Sequence, residues 1–370
     1  FNYQSMIKVL NIIKEIEKVA HPSLQESYDN ARLITGNSNW ECTGVIMCLD
    51  AIESVIDEAI AKKCNLVLAH HPIVFSGVKS FTGKNYIERT IIKAIKNDIA
   101  IYAAHTNLDN VLEGVNQKIA QKIGLKNIQI LAPKKGILKK LYTYIPTSHT
   151  EKVRNELFEV GAGHIGKYSE CSFKVSGEGT FKGNNDSDPF IGEKGKLQIE
   201  QEDKIEFIFP AYLERAIINQ LLEAHPYEEV AYEIITLDNY HQEIGAGVIG
   251  DLETPMEIME FLEKLKIQMQ TPLIRYTEPN QKKVQKIAIC GGAGSFLMET
   301  AKARKADVFI TGDYKYHQFF DAENQIVIAD IGHFESEQFT IELFYEILMK
   351  KFPNFALYLT KVITNPVKYL

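Results

Sequence analysis

Two adjacent histidines, His70 and His71, end an apolar segment that has the pattern of a buried strand. Imidazole nitrogens are ligands that divalent transition metals bind readily. Consecutive side chains of a strand point to opposite faces, but Pro72 favours an immediate turn, so both rings can reach one rim of a sheet. A histidine in such a place can also be a core residue bonded to the backbone, and the pair alone does not decide.

Two further groups of possible ligands follow other predicted strands. His105 and Asp109 come after one of them, and His333 and Glu337 come after another. His333 and Glu337 have helical spacing, which places both side chains on one face of a helix. Asp109 alone could be a helix N-cap, and Glu337 could complement the dipole of the last helix. Three such groups at strand ends favour a shared metal site.

The candidate metal ligands are His70, His71, Asp109, His333 and Glu337. A closed structural zinc site takes four ligands, usually with cysteine among them, so this set favours a two-ion centre with open positions. Such a centre binds and activates a water molecule, which is hydrolase chemistry. One ion is expected on His71, Asp109 and Glu337. The other is expected on His70, His333 and Glu337, so that Glu337 bridges both.

Two residues are predicted to be catalytic, His105 and Glu337. His105 lies beside the cluster without being needed as a ligand, so we expect an outer-shell partner or a proton shuttle; orienting Asp109 is the alternative. Histidine and carboxylate ligands suit several ions. Two divalent ions per chain are expected, with zinc as the first choice and manganese, iron, cobalt or nickel as alternatives. No residue is predicted to bind an organic cofactor.

Composition narrows the class of protein. A chain of 370 residues with 45% apolar and 24% charged residues has room for two or three globular domains. The formal net charge of -7, without a basic stripe, argues against a nucleic-acid partner. Five cysteines without a Cys-x-x-Cys motif indicate a reducing cytoplasm. Apolar runs are too short for a membrane span.

The two ends of the chain share one pattern. Helix and strand signals alternate over residues 6–135 and again over 239–370. Apolar runs such as 44–49 lack two-residue alternation, which predicts strands covered on both faces. We therefore predict an α/β fold, with a layered metal-binding domain built from both chain ends. The residues before Met6 are expected to be an expression remnant.

Residues 136–238 have a different pattern, with an internal duplication. Residues 140–146 and 204–210 are two alternating strands that each end in proline, and the spacing after them matches. Each half is predicted to be strand, helix, strand, which gives an inserted ferredoxin-like α+β domain: four antiparallel strands with two helices on one face. A long mobile loop is expected over 177–188.

A glycine run at 291–294 follows another predicted strand. It could present backbone N–H groups to an anion, or it could serve only to permit a tight backbone.

Five motifs together resemble one family, the Nif-like dinuclear-metal proteins, also called GTP cyclohydrolase I type 2 homologues. The resemblance covers nearly all of residues 6–370 and implies two metals bound at the five candidate ligands. The motifs are LAHHPIVF at 68–75, AHTNLD at 104–109, GGAGS at 291–295, TGD at 311–313 and GHFESE at 332–337.

The resemblance also implies an assembly and a reaction. Residues 161–168 and 224–232 look like the PII/CutA-like insert of the longer bacterial members. The family implies a toroidal homohexamer with metal sites facing an internal cavity, and opening of the imidazole ring of GTP by a metal-activated water. One motif departs: residues 28–33 are YDNARL, where the family usually has Trp-Asp-Asn, a small residue, Gly and Leu.

Two functions follow as hypotheses. The first is a dinuclear-metal-dependent hydrolase that acts on a nucleotide or a phosphorylated small molecule. The alternative is a metal-binding regulatory or scaffold oligomer whose insert senses an effector or a protein partner. Turnover that Glu337→Ala abolishes with the oligomer intact would favour the enzyme, whereas metal-dependent partner binding without turnover would favour the regulator.

Overall fold

The computed structural model describes residues 6–279 and 282–370, so the five residues before Met6 lie outside it. The strands are β1 (Leu33–Thr35), β2 (Val45–Asp50), β3 (Leu66–His71), β4 (Ala100–Ala103), β5 (Lys126–Pro133), β6 (Leu138–Pro146), β7 (Ser172–Phe181), β8 (Gln198–Pro210), β9 (Tyr232–Thr236), β10 (Gly245–Glu257), β11 (Arg275–Tyr276), β12 (Lys283–Ala293), β13 (Val308–Gly312), β14 (Val327–Asp330) and β15 (Leu357–Leu359).

The α-helices are α1 (Val9–Val19), α2 (Glu53–Ala61), α3 (Tyr86–Lys96), α4 (Thr106–Asp109), α5 (Val115–Lys122), α6 (Thr150–Glu159), α7 (Glu214–Ala224), α8 (Ile258–Gln268), α9 (Met298–Ala303), α10 (His333–Glu337) and α11 (Thr340–Lys351). None of the helices in the described chain has the length and apolarity needed to cross a bilayer. The predicted α/β class is confirmed.

The chain divides into two compact units. One joins the described residues up to Ala132 to Glu243–Leu370, and the other is Pro133–Gln242. The first unit holds a five-stranded sheet, β1-β4-β3-β2-β15, and a six-stranded sheet, β11-β14-β13-β12-β10-β5. Strand β15 comes from the C-terminal segment of this unit and β5 from its N-terminal segment, so each sheet contains strands from both sequence segments.

The central strands of both sheets run parallel. Strands β2, β3 and β4 pair in parallel, as do β12, β13 and β14. Strands β2 and β3 are almost wholly buried because α2 and α3 cover one face of the sheet and α11 packs on β2 from the other. The carboxyl ends of parallel strands meet at one edge, where ligands bind in open α/β sheets.

The second unit is a four-stranded antiparallel sheet in the order β7-β8-β6-β9. Helices α6 and α7 pack on one face, over a core that includes Leu141, Phe207, Leu157 and Leu221. The predicted strand–helix–strand order of each half is confirmed. The loop expected over 177–188 starts later than predicted, because β7 continues to Phe181 through pairing with β8.

Asp203 is a buried acid beneath the helices of this unit. Its carboxylate accepts hydrogen bonds from Thr150 Oγ1, Ser176 Oγ and Lys174 Nζ at 2.7, 2.6 and 3.1 Å. Burial raises the pKa of Asp203, but these bonds outweigh burial and hold the pKa below its ordinary value of 3.8. The ionised carboxylate therefore stabilises the fold.

We predict that Asp203→Asn lowers the free energy of unfolding by about 1–3 kcal/mol at neutral pH. Because the folded-state pKa lies below the unfolded one, the stabilisation is complete above the unfolded pKa and is lost as the pH falls through the folded-state pKa. Urea unfolding at neutral and acid pH tests this. The stabilities of wild type and variant should converge in acid, whereas the exposed Asp186→Asn should match wild type at both; equal stabilities at neutral pH would contradict the prediction.

Candidate metal centre

His70 is fully buried at the end of β3, and its two ring nitrogens have different surroundings. Nδ1 lies 2.9 Å from the carbonyl oxygen of Ala104, which can only accept, so Nδ1 carries the proton. In the neutral ring, Nε2 then presents a lone pair toward Asp109 Oδ1 and Glu337 Oε1, each 3.7 Å away. Nε2 has no hydrogen-bond partner among the described residues. A cation between these three atoms would satisfy all of them, so the residues fit a metal ion.

Three other histidines are held in the same way. A carboxylate accepts a hydrogen bond from Nδ1 of each ring, which leaves the Nε2 atom facing the centre. This carboxylate–histidine arrangement is typical of metal ligands, because it fixes the tautomer and the ring orientation. The pairs are His71–Asp50, His105–Asp29 and His333–Asp313, with N–O distances of 2.8, 2.8 and 2.7 Å.

Glu337 is a buried carboxylate at the middle of the cluster. Its Oε2 lies 3.0 Å from His71 Nε2 and 3.1 Å from His333 Nε2, and its Oε1 faces His70. Burial opposes ionisation, but the three imidazoles outweigh burial and hold the pKa of Glu337 well below its usual range. Glu337 is therefore an anion whose two oxygens address different histidines.

The carboxylates beside His71 and His333 raise the pKa values of both imidazoles. Burial lowers the pKa of His71, but hydrogen bonds with Asp50 and Glu337 overcome it and raise the pKa to about 10. Burial likewise lowers the pKa of His333, and Asp313 and Glu337 raise it to about 11. The Nε2 atoms of the two rings are only 3.3 Å apart, so two protons in this gap repel each other. A divalent ion can replace them.

The structure brings all five candidate ligands together, in groups that differ from the predicted ones. Ligand atoms of each group lie within 4.8 Å of one another. His70 shares Glu337 with Asp109, whereas we expected His71 there. Strand order explains this, because His70 faces β4, which leads to Asp109, and His71 faces Asp50 of β2. The groups are His71–His333–Glu337, His70–Asp109–Glu337 and His70–His71–His105.

Asp109 and His105 occupy the β4 side of the centre. Asp109 ends the short helix α4, so the alternative of an N-cap is wrong. Burial raises the pKa of Asp109, and the nearby Glu337 adds to this while His70 opposes it. The side-chain hydrogen bond of His105 goes to Asp29. Asp29 also accepts from the backbone N–H of Thr106 at 3.0 Å and therefore fixes the turn that carries both side chains.

The glycine run makes room for the ligands. Strand β12 continues to Ala293, and Gly292 has a φ of +63°. A Cβ on Gly292 would lie 2.4 Å from Glu337 Oε1. The N–H of Gly292 already donates to Ser336 Oγ, and that of Gly291 to Asn116 Oδ1. These two N–H groups are therefore not free to bind an anion, which favours the alternative that the glycines permit a tight backbone.

The sequence patterns did not predict that three carboxylates orient the histidines, although Asp313 lies in the TGD motif at 311–313 and Asp29 in the YDNARL segment at 28–33. Asp50 is the last residue of β2, and Asp313 directly follows β13. Both stand at strand ends, which is the signal that pointed to the histidines. Asp29 follows no strand, and its contact with His105 in space is what assigns it an orienting role.

Asp50→Ala is predicted to weaken metal binding by roughly 10–100-fold, because it frees the His71 ring from its orienting partner. Zinc competition with a chelator of known affinity measures the change. Asp57→Ala removes an exposed carboxylate that pairs with Lys93 and should leave affinity unchanged. An unaltered zinc affinity in Asp50→Ala would contradict an orienting role.

Comparison with known proteins gives concordant results. A family model described as Duf34/NIF3 (NGG1p interacting factor 3) matches residues 7–366. A Bacillus subtilis (strain 168) protein named GTP cyclohydrolase 1 type 2 homolog is 38% identical over 365 residues, which are 97% of this chain and 98% of that protein. A Halalkalibacterium halodurans protein of the same name is 40% identical over 324 residues, 87% of each chain.

Solved structures agree with the sequence matches. The crystal structure of a Bacillus cereus protein related to NIF3 is 36% identical, with a TM-score of 0.87 over 99% of this chain and 100% of that one. Matches of this extent confirm the resemblance in the motifs, and the chain therefore belongs to the Duf34/NIF3 family.

Proposed function

We propose that the protein is a dinuclear-metal-dependent hydrolase that acts on a nucleotide or a phosphorylated small molecule. The observation that carries the proposal is the placement of Glu337. Its Oε2 serves His71 and His333, and its Oε1 serves the separate group of His70 and Asp109. A carboxylate shared in this way by two ligand groups is suited to bridge two ions.

Two divalent ions, zinc first among the candidates, would supply Lewis acidity and lower the pKa of a water molecule at the centre. His105 is placed to move the proton. Its ring centroid lies 5.2 Å from that of His70 and 5.3 Å from that of His71. Burial opposes ionisation of Asp29, but bonds from His105 and Thr106 hold its pKa far below the usual range, so it stays charged and keeps Nδ1 protonated. The other ring nitrogen is then free to accept a proton.

A cavity beside the ligands gives room for a substrate. It has a volume of about 480 Å³ and is lined by His71, His333, Asp313 and Arg275 among others. Cavities of this size hold small organic molecules. The Arg275 guanidinium is half-exposed and pairs with the buried Asp330, which orients it for a phosphate or carboxylate group.

Assembly and location extend the proposal. From the family resemblance we propose a cytoplasmic toroidal homohexamer whose second unit, Pro133–Gln242, is a PII/CutA-like insert. Supporting this, the strand order β7-β8-β6-β9 is that of a ferredoxin-like sheet. Size-exclusion chromatography with light scattering tests the hexamer.

A second candidate function is the metal-binding regulator whose insert senses an effector. A cavity of about 670 Å³ within the second unit favours it. Aromatic rings and a carboxylate, those of Tyr144, Phe181, Tyr227 and Glu202, lie on its wall. An effector that binds there without turnover at the metal centre would support this candidate over the hydrolase.

The metal content of the purified protein is the first test of whether the protein has a metal centre. Mass spectrometry on protein prepared without chelators should give about two ions per chain. His70→Ala should reduce this number, whereas His164→Ala, an exposed histidine of the second unit, should not. A nucleotide screen that begins with GTP should then show saturable turnover that His70→Ala abolishes. Protein that neither contains nor takes up zinc, manganese or iron would refute the proposal.

A further inference from the structure

Two large aromatic side chains lie exposed beside the metal centre. Tyr28 is 65% exposed and Phe75 is 51% exposed. Their ring centroids are 6.3 Å apart with planes tilted by 43°. The Phe75 ring also lies 6.2 Å from the ring of His105, edge to face. Single exposed aromatic side chains are common and need no explanation. Two that face each other next to a proposed catalytic histidine form a candidate binding surface.

Hydrogen bonds fix the chain segments that carry the two rings relative to the centre. Asn30 Nδ2 donates to the carbonyl oxygen of Val74 at 2.7 Å, which ties the segment of Tyr28 to the segment of Phe75. The backbone N–H of Asn30 donates to Asp29 Oδ1 at 2.7 Å, and the same oxygen accepts from His105 Nδ1. One network therefore positions both rings and the proposed proton carrier.

We infer that Tyr28 and Phe75 bind a planar heteroaromatic ring of the substrate and place it beside His105. This inference rests on the proposed function and adds the two side chains that would hold the base of a nucleotide substrate. Aromatic pairs prefer offset or edge-to-face contacts at 4.5–7 Å between centroids. The tilt of 43° lets an incoming ring stack on one wall while its edge meets the other.

The position of the pair argues for a substrate ring over another occupant. Phe75 contacts the ring of His105, whose nitrogen lies within 4.8 Å of ligand atoms of His70 and His71. A group stacked here is within reach of chemistry at the centre.

The test compares two probes on the full-length, zinc-loaded protein. Guanosine 5′-monophosphate and ribose 5-phosphate share the sugar and the phosphate and differ in the base. Calorimetry should show tighter binding of the nucleotide, and Tyr28→Leu and Phe75→Leu should each weaken it roughly five- to hundredfold. Ribose 5-phosphate binding should not change. Tyr28→Phe should keep the preference, and Tyr168→Leu, which removes an exposed ring of the second unit, should not alter it.

Metal content and oligomeric state, measured on the same preparations, separate the outcomes. Equal affinities for the two probes, or no measurable binding of the nucleotide, in protein with full metal content would overturn the inference and leave the hydrolase proposal standing. Variants that change the oligomeric state without changing the affinity ratio would show that the rings meet a second copy, and would also overturn it. Ring-dependent nucleotide binding in protein without turnover would support the inference while the hydrolase proposal fails.

Discussion

Glu337→Ala is expected to remove most bound metal and to abolish turnover, the largest effect of any ligand substitution in the centre. Among the described residues, Glu337 is the side chain that the His71–His333 group and the His70–Asp109 group have in common, so its loss removes a candidate ligand from both. It also leaves the Nε2 atoms of His71 and His333 3.3 Å apart, without the carboxylate that offsets the positive charge of the two rings. We expect metal content to fall from about two ions per chain to less than about one.

A matched control separates this effect from the loss of any carboxylate. Glu346 lies on α11, and its half-exposed side chain pairs with Lys118. Glu346→Ala should keep full metal content and activity. Mass spectrometry for metals, with thermal unfolding to establish that both variants are folded, makes the measurement. Full metal content in folded Glu337→Ala protein would show that Glu337 is not a ligand.

The fold was largely predictable because buried parallel strands appear in a sequence as short continuous apolar runs. Apolar runs such as 44–49 and 66–69 lack alternation, since helices cover both faces of the sheet. The second unit was readable for the opposite reason, because its alternating strands have one covered face. Residues 177–181 were misjudged because glycines there suggested a loop, whereas Gly179 leaves space in β7 for the carboxylate of Glu202.

The sequence indicated which side chains lie close together, but not how they are grouped. Polar residues at the ends of apolar runs identify a shared edge, which is a property of each strand by itself. The grouping of His70 with Asp109 depends on β4 lying next to β3 on one side and β2 on the other. Strand order is set by packing between distant segments, so local patterns do not contain it. The same holds for Asp29, which reaches His105 across 76 residues of sequence.

Gly292→Ala is expected to disable the centre although no ligand is substituted. Two costs combine at this position. The φ of +63° is unfavourable for alanine, by about 1–2 kcal/mol. The new methyl carbon would also lie 2.4 Å from Glu337 Oε1 and 3.3 Å from His333 Nε2, so it must push the Glu337 carboxylate away. We expect zinc affinity to fall at least tenfold, because ligands must stay within a few tenths of an ångström of their places.

Gly124→Ala provides the matched control for backbone strain. Gly124 belongs to the same unit and has a φ of +78°, but a Cβ there meets nothing within 4 Å. Both alanine variants should lose a similar amount of stability from the left-handed backbone. Only Gly292→Ala should lose metal, as measured by chelator competition. If the two variants bound zinc equally well, the glycine run would have no role in the centre and the contact with Glu337 would be without consequence, since backbone strain is common to both.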